Sequence, residues 1–238
     1  MDSISYERLK AESNHFLLGF RPTMPKLPTQ AAVAMLPLLF AGSAAASGLD
    51  VTVLDQGGKP VESAVVSLAF PSGTPPGPQL PEQAVIDQDF ETFFPLVTIL
   101  PTGGSVTFRN SDKTMHQVYS FSAIKRFAFE VDVGHTSPAV VFDKPGTAAI
   151  GCNIHDQMIT YVVVTDNSYT KLSDKTGITQ FADLTPGHYA AEVWHPDLAP
   201  GAKPAGAEVD VSAGESEVRV VLRIAPRHMA PMSHMGPY

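Results

Sequence analysis

The sequence predicts an all-β protein. Its 238 residues include 18 glycines and 21 prolines, and only 17% are charged. Short runs rich in valine and threonine recur between turn signals such as Gly-Gly and Pro-Gly, which is typical of strands joined by tight turns. This is the composition of an exported β protein rather than of a helical enzyme. The length leaves room for one or two domains.

The charge pattern argues against a nucleic-acid partner. The formal net charge is -8 at pH 7, and lysines and arginines never occur in a run longer than a pair. Proteins that bind nucleic acid need a clustered basic surface, because the phosphate backbone supplies most of the affinity. We therefore expect no nucleic-acid partner.

An apolar N-terminal stretch predicts export. Residues 31–46 are apolar or small and end in three alanines, an A-x-A cleavage pattern. About 16 such residues, interrupted by Pro37, fall short of the ~20 that span a bilayer. We interpret residues 1–46 as a signal peptide, cleaved before Ser47, that delivers the chain to the periplasm and leaves no membrane span. Translation is expected to start at Met24, which gives a signal peptide of ordinary length.

The chain after the cleavage site begins with a β region and a linker. Residues 47–72 contain two apolar runs around Gly57 and Gly58, and this turn predicts a hairpin. Residues 73–81 repeat proline, which cannot join a sheet ladder, and are interpreted as a linker. Residues 82–165 then form the predicted domain that carries the chemistry.

The only cysteine lies in a motif with the spacing C-x2-H-x2-M. Cys152, His155 and Met158 offer a thiolate, an imidazole and a thioether, a soft ligand set that suits copper. The flanking residues 140–150 and 159–164 read as strands. A tight loop between two strands can direct all three side chains at one point.

A second histidine completes the candidate site. His116 follows a strand-like run that ends in the turn Asn110-Ser111-Asp112. One cysteine cannot form an internal disulfide, and a bare thiol is a liability in an oxidising compartment. A copper-bound thiolate resolves that difficulty.

These residues resemble a cupredoxin of the plastocyanin and amicyanin kind. Residues 86–165 also resemble a bacterial family labelled methylamine-utilisation or plastocyanin-like protein. The matching stretches are Val118–Ser122, Lys125–Phe127, Val141–Gly146 and Gly151–Asp156. The resemblance implies a Greek-key β-sandwich with one type 1 copper, held by His116, Cys152 and His155 in a plane and weakly by Met158. Many cupredoxins place asparagine directly after the first histidine to tie the ligand loops together, but here that position is Gln117.

Residues 166–225 predict a second β region, with a strand, a Pro-Gly turn at Pro186-Gly187 and further strands. Together with Gly58–Val61 and Ala64-Val65 upstream, it resembles the small prealbumin-like sandwiches also called carboxypeptidase regulatory-like domains. We therefore expect the cupredoxin domain to be inserted into, or to lie next to, such a sandwich. His188 and His195 are interpreted as surface histidines.

The C-terminal tail, residues 226–238, is rich in histidine and methionine. Flexible soft ligands of this kind suit Cu(I), and an ordinary disordered tail explains them equally well. The candidates for a second copper cluster are His228, Met229, Met232, His234 and Met235.

The resulting functional hypothesis is a periplasmic one-electron carrier with a transient redox partner protein. No pairing of nucleophile and base is visible in the sequence, so an enzyme is not expected. Two alternatives remain open: a copper storage or delivery protein with the tail as its loading arm, and an envelope binding module in which copper is structural. The sequence leaves the oligomeric state, the redox partner and any link to methylamine metabolism open.

Overall fold

The computed structural model describes residues 47–70, 76–199 and 201–225. Across these ranges it contains sixteen β-strands and no helix, which confirms the all-β prediction. The strands form four sheets that pack in two pairs. We call these pairs the terminal sandwich and the central sandwich, after the position of their strands in the chain.

The terminal sandwich contains the first two and the last five strands. Its strands are β1 (Ser47–Asp55), β2 (Val65–Ala69), β12 (Thr170–Leu172), β13 (Ile178–Leu184), β14 (Gly187–Trp194), β15 (Ala205–Val211) and β16 (Gly214–Leu222). One sheet has the order β13-β1-β16 and the other the order β12-β2-β14-β15. β1 runs antiparallel to β13 and parallel to β16.

The core of the terminal sandwich follows from the alternation of its strands. Leu49, Val51 and Val53 of β1 point to one side and are fully buried against Leu68 and Tyr189 of the facing sheet. Each fully buried aliphatic side chain stabilises the fold by about 1.5–3 kcal/mol relative to exposure. The intervening positions are half-buried or exposed and mostly polar, so the register of each strand is fixed by which face is buried.

The hairpin predicted around Gly57 and Gly58 is wrong. β1 and β2 lie in different sheets, and only an isolated bridge between Leu54 and Pro60 joins the two arms of the turn. The chain crosses from one sheet to the other after this turn, because Leu49 and Leu68 bury their side chains against each other's sheet. Turn chemistry predicted the reversal correctly but not the strand partners.

The central sandwich contains the nine strands between. They are β3 (Gln83–Asp89), β4 (Thr92–Phe94), β5 (Val97–Leu100), β6 (Ser105–Asn110), β7 (His116–Ser120), β8 (Phe127–Val131), β9 (Val140–Val141), β10 (Gly146–Cys152) and β11 (Ile159–Val164). The five-stranded sheet has the order β5-β11-β10-β7-β8, and the four-stranded sheet has the order β4-β3-β6-β9. Phe93, Phe108, Phe142 and Ile150 form the centre of the core between them.

Apolar side chains also join the two sandwiches. Val65 of β2 and Val97 and Ile99 of β5 form a third buried cluster. Tyr161 and Trp194 pack edge to face across it, with ring centroids 5.8 Å apart. The joint is a small apolar core rather than a polar, solvated contact.

Within residues 47–70, 76–199 and 201–225, no helix has the length and hydrophobicity that a bilayer crossing requires.

Candidate metal centre

Two adjacent strands of the central sandwich present His116 and Cys152. Cys152 is the last residue of β10 and lies opposite Val118 of β7 in the ladder. His116 is the first residue of β7, two positions from Val118, and so faces the same side of the sheet. Both side chains are buried, with His116 completely inaccessible.

A short turn after Cys152 brings back the other two residues of the motif. The backbone N–H of Met158 donates to the carbonyl of His155 at 3.0 Å, and the N–H of Cys152 donates to the carbonyl of Met158 at 3.3 Å. β11 begins directly afterwards at Ile159, which pairs with Gly151. The motif is therefore a closed loop at the end of a strand pair, as the flanking sequence predicts.

The donor atoms of three of the four predicted ligands converge. His116 Nδ1 lies 3.6 Å from Cys152 Sγ and 3.3 Å from His155 Nδ1. One donor atom from each of the three residues lies within 4.8 Å of the others, and the described residues contain no other such group of histidine, cysteine and carboxylate donors. Met158 is buried in the same cluster as Cys152, and its role as a ligand stays a prediction.

This donor set fits a soft metal ion. Bonds from a metal to nitrogen and sulfur run about 2.0 and 2.3 Å, so donors 3.3 to 3.6 Å apart can share one ion. A thiolate with two imidazoles is the combination that selects copper or zinc over the hard cations. Two ring nitrogens facing each other in a buried place are unfavourable unless a proton or a cation lies between them.

Carboxylates face the outer nitrogen of each imidazole. Asp112 Oδ2 lies 3.2 Å from His116 Nε2, and Glu91 Oε1 lies 3.5 Å from His155 Nε2. Burial opposes the ionised form of Asp112, but hydrogen bonds from the backbone N–H groups of Glu91 and Lys113 and from His116 outweigh it and lower its pKa. An ionised Asp112 therefore faces Nε2 of His116, the ring nitrogen that points away from Cys152.

A buried asparagine shapes the loop before His116. The Asn110 side chain donates to the carbonyls of Thr114 and Val131, both at 2.8 Å, and accepts from the backbone N–H of Asp112 at 3.0 Å. These bonds satisfy an amide that is only 1% exposed. The turn signal at this position was visible in the sequence, but its part in placing Asp112 was not.

Gln117 ties the two ligand loops together. Its amide oxygen accepts a hydrogen bond from Asn153 Nδ2 at 2.7 Å, and its backbone carbonyl accepts from the Asn153 N–H at 2.9 Å. Asn153 directly follows Cys152 in the motif. The departure from asparagine after the first histidine is thus compensated by an asparagine on the opposite loop.

The two histidines predicted to lie on the surface, His188 and His195, differ in their exposure. His188 is exposed, as expected, but His195 is only 5% exposed, so the prediction of a surface position for it is wrong. Its Nδ1 accepts from the Asp197 N–H at 3.1 Å in the turn after β14. The predicted signal peptide and the cluster of the tail (His228, Met229, Met232, His234, Met235) lie outside the described residues.

Sequence reasoning missed Glu91 altogether. It lies far from both histidines in the chain and reaches them only because β3 and β4 form a hairpin beside the ligand loops. No local spacing or turn signal links it to His116 or His155. Only the tertiary arrangement could have identified it.

Solved structures similar to this chain are copper proteins. One is a purple cupredoxin from Nitrosopumilus maritimus, with 23% identity and a TM-score of 0.32 over 34% of this chain and 99% of its own. A second is a variant of amicyanin in its Cu(I) form, with 19% identity and a TM-score of 0.32 over 42% of this chain and 99% of its own.

A third is a copper-containing nitrite reductase from Thermus scotoductus SA-01, with 22% identity and a TM-score of 0.33 over 49% of this chain and 28% of its own. No protein-family model and no curated protein matches the chain. The resemblance of the terminal sandwich to prealbumin-like domains stays a prediction.

Proposed function

We propose that this chain is an exported type 1 copper protein that carries single electrons in the periplasm. The observation that carries the proposal is the convergence of His116, Cys152 and His155, with Met158 buried on the same loop. A buried thiolate with two imidazoles is a ligand set for copper. When bound, copper supplies a one-electron couple between Cu(II) and Cu(I).

The residues of the chain contribute rigidity and exclusion of water. Hydrogen bonds within the loop and between Gln117 and Asn153 hold the donors in place, so the side chains need little rearrangement when the charge of the site changes. His116, Cys152 and Met158 are buried, whereas His155 retains 17% of its side-chain exposure. We assign electron entry and exit to the exposed edge of His155, with Ile154 beside it in a transient docking surface.

The domain arrangement is part of the proposal. We infer that the central sandwich is a copper module inserted between the first and second parts of a β-sandwich, with the boundaries near residues 82 and 165. The strand pairing supports this, because every strand of the terminal sandwich pairs only within that sandwich. Export with cleavage before Ser47 is supported by the apolar stretch and the alanine pattern of the N-terminal sequence.

The alternatives differ in how the structure bears on them. A storage or delivery role depends on the tail, which lies outside the described residues, so no structural observation favours it over the carrier. A binding module with structural copper does not require the partly exposed His155 edge. We propose that the chain is not itself an enzyme, with electron transfer between partners as its role.

Replacement of Cys152 by serine tests the proposal. Wild-type protein loaded with Cu(II) should show an intense thiolate-to-copper absorption band and the paramagnetic resonance spectrum of a type 1 site. Cys152→Ser should lose that band completely, because a hydroxyl cannot supply the thiolate donor. Ser120→Ala, a small change at another buried position of the same sheet, should keep it. An unchanged band in Cys152→Ser would contradict the assignment of Cys152 as a ligand.

A further inference from the structure

The turn between β3 and β4 is built from residues that two-residue turns avoid. Asp89 pairs with Thr92, so Phe90 and Glu91 form the turn alone, with φ angles of 50° and 53°. Asparagine and glycine favour such positions, whereas other residues are strained in the left-handed region. Strain of this kind that persists points to a role for the side chains that it displays.

Glu91 contacts both ligand loops at once. Its backbone N–H donates to Asp112 Oδ2 at 2.7 Å, and the same carboxylate oxygen faces His116 Nε2 at 3.2 Å. Its side chain faces His155 Nε2 at 3.5 Å and accepts from Gln157 Nε2 at 3.2 Å. The turn therefore contacts both histidines. The Glu91 N–H binds Asp112, which faces His116, and the Glu91 side chain faces His155 directly.

We propose that Glu91 is a positioning residue that sets which nitrogen His155 turns toward the metal centre, a role that rests on the proposed copper site. Between the two neutral forms of the ring, a carboxylate facing Nε2 favours the one with its proton on Nε2. The lone pair is then on Nδ1, the atom that faces His116 Nδ1 and lies near Cys152 Sγ. Asp112 Oδ2 faces Nε2 of His116 on the other side of the centre.

The geometry also explains why the residue at this turn is a glutamate. An asparagine fits the left-handed backbone but is one methylene shorter, so its side chain cannot hold the same position beside His155 and Gln157. A glutamine has the length but not the charge. If the turn alone mattered, asparagine or glycine would serve it with less strain. Glutamate has both the length and the charge that the contact with His155 requires.

The first measurement uses the metal-free full-length protein. Nitrogen-15 chemical shifts of the imidazoles, recorded at about pH 8 where histidine is ordinarily neutral, report the fraction of His155 with its proton on Nε2. Wild-type protein should show a larger fraction of this form than Glu91→Asn does. Glu91→Asn, which suits the turn, should shift His155 toward a mixture of the two forms, and Glu91→Gln should give an intermediate result.

The second measurement is Co²⁺ affinity, followed by absorption. Loss of a carboxylate behind a ligating histidine typically weakens metal binding about 10–100-fold, and we expect a loss in this range for Glu91→Asn with partial recovery in Glu91→Gln. Glu82→Gln is the matched control, because it removes an exposed carboxylate just ahead of β3, at the far end of that strand from the turn. The control should leave both measurements unchanged.

The outcomes separate this inference from the proposed function. Equal ring forms in Glu91→Asn and in the control would overturn the positioning role, whatever happens to metal affinity. A changed ring form in Glu91→Asn would support the role of Glu91 even if the wild-type protein bound neither Co²⁺ nor Cu²⁺. That absence of metal binding would refute the copper carrier. A Co²⁺ affinity in Glu91→Asn equal to that of the control would also count against the role.

Discussion

His188 shows how one exposed side chain makes stability depend on pH. Its Nδ1 lies 2.7 Å from Asp210 Oδ1, and its Nε2 lies 3.0 Å from Glu208 Oε2 on the neighbouring strand β15. The hydrogen bond to Asp210 raises the pKa of His188, and the charges of both carboxylates reinforce this against the opposing loss of solvation. The folded protein therefore holds the proton of His188 more tightly than the unfolded chain does.

The sign of the pH effect follows from that raised pKa. The stabilisation is fully present below the unfolded value of about 6.5 and is lost as pH rises through the folded value. His188→Gln should therefore lower the urea midpoint at about pH 5.5 and have little effect at about pH 9. In an Asp210→Asn background the difference at low pH should shrink, because the main partner is gone. A pH-independent difference would contradict the ion-pair explanation.

Residue-level prediction worked where chemistry was local. The spacing from Cys152 to Met158 predicts a common site because a tight loop places those side chains together, and the structure brings Cys152 and His155 to one point with His116. The contacts of Asp112 and Glu91 could not be predicted, because they depend on which loops meet at the end of the sandwich. The burial of His195 was missed for the same reason.

At the scale of the element, Gly177 is the sharpest constraint in the terminal sandwich. It lies in the turn before β13 with φ of 75°, and its carbonyl accepts a hydrogen bond from the Val53 N–H at 2.7 Å. An added Cβ would collide with the carbonyl oxygen of Val53. The side chain of Asp174 holds this turn by accepting from the N–H groups of Thr176 and Ile178.

Gly177→Ala should therefore be much more destabilising than an alanine in a similar but open turn. Gly58 has φ of 79° and open space where a Cβ would lie, so Gly58→Ala should cost only the left-handed backbone strain, about 1–2 kcal/mol. Gly177→Ala adds a steric clash with backbone and should cost about 3 kcal/mol or more. Urea unfolding of the two variants measures both. Equal losses would show that the clash at Gly177 relaxes freely.

Elements were predictable as strands but not as partners. Alternation and turn residues predict strands in the regions of β1, β2, β10 and β11, because each strand buries one face. Pairing is decided by contacts between distant segments, such as the parallel β1 and β16, and a turn of two glycines cannot report them. This is why the expected first hairpin became a crossover between sheets.

At the scale of the whole molecule, the apolar joint should make the two sandwiches unfold together. Val65 is 4% exposed in the cluster that joins them. Val65→Asp would force a carboxylate into this joint, where an unpaired charge costs several kcal/mol or draws in water. Calorimetry should show one cooperative transition for the wild type and two separate ones for the variant.

The control for the joint is Val221→Asp. Val221 lies on β16 and is 55% exposed, so the same change there adds a charge without entering a core and should preserve the single transition. Two transitions already present in the wild type would mean that the joint does not couple the sandwiches. A single transition in Val65→Asp would also show that the joint is not what makes the two sandwiches unfold together.

The pairing of β1 with β13 and β16 has a consequence for the order in which the chain can fold. β1 is synthesised first, but both of its partners follow roughly 120 residues or more behind it. The central sandwich has all of its own strands before either partner emerges. We therefore expect His116, Cys152 and His155 to be assembled while β1 is still unpaired. A chain stopped near residue 165 would then present a complete candidate metal centre and an exposed, aggregation-prone strand.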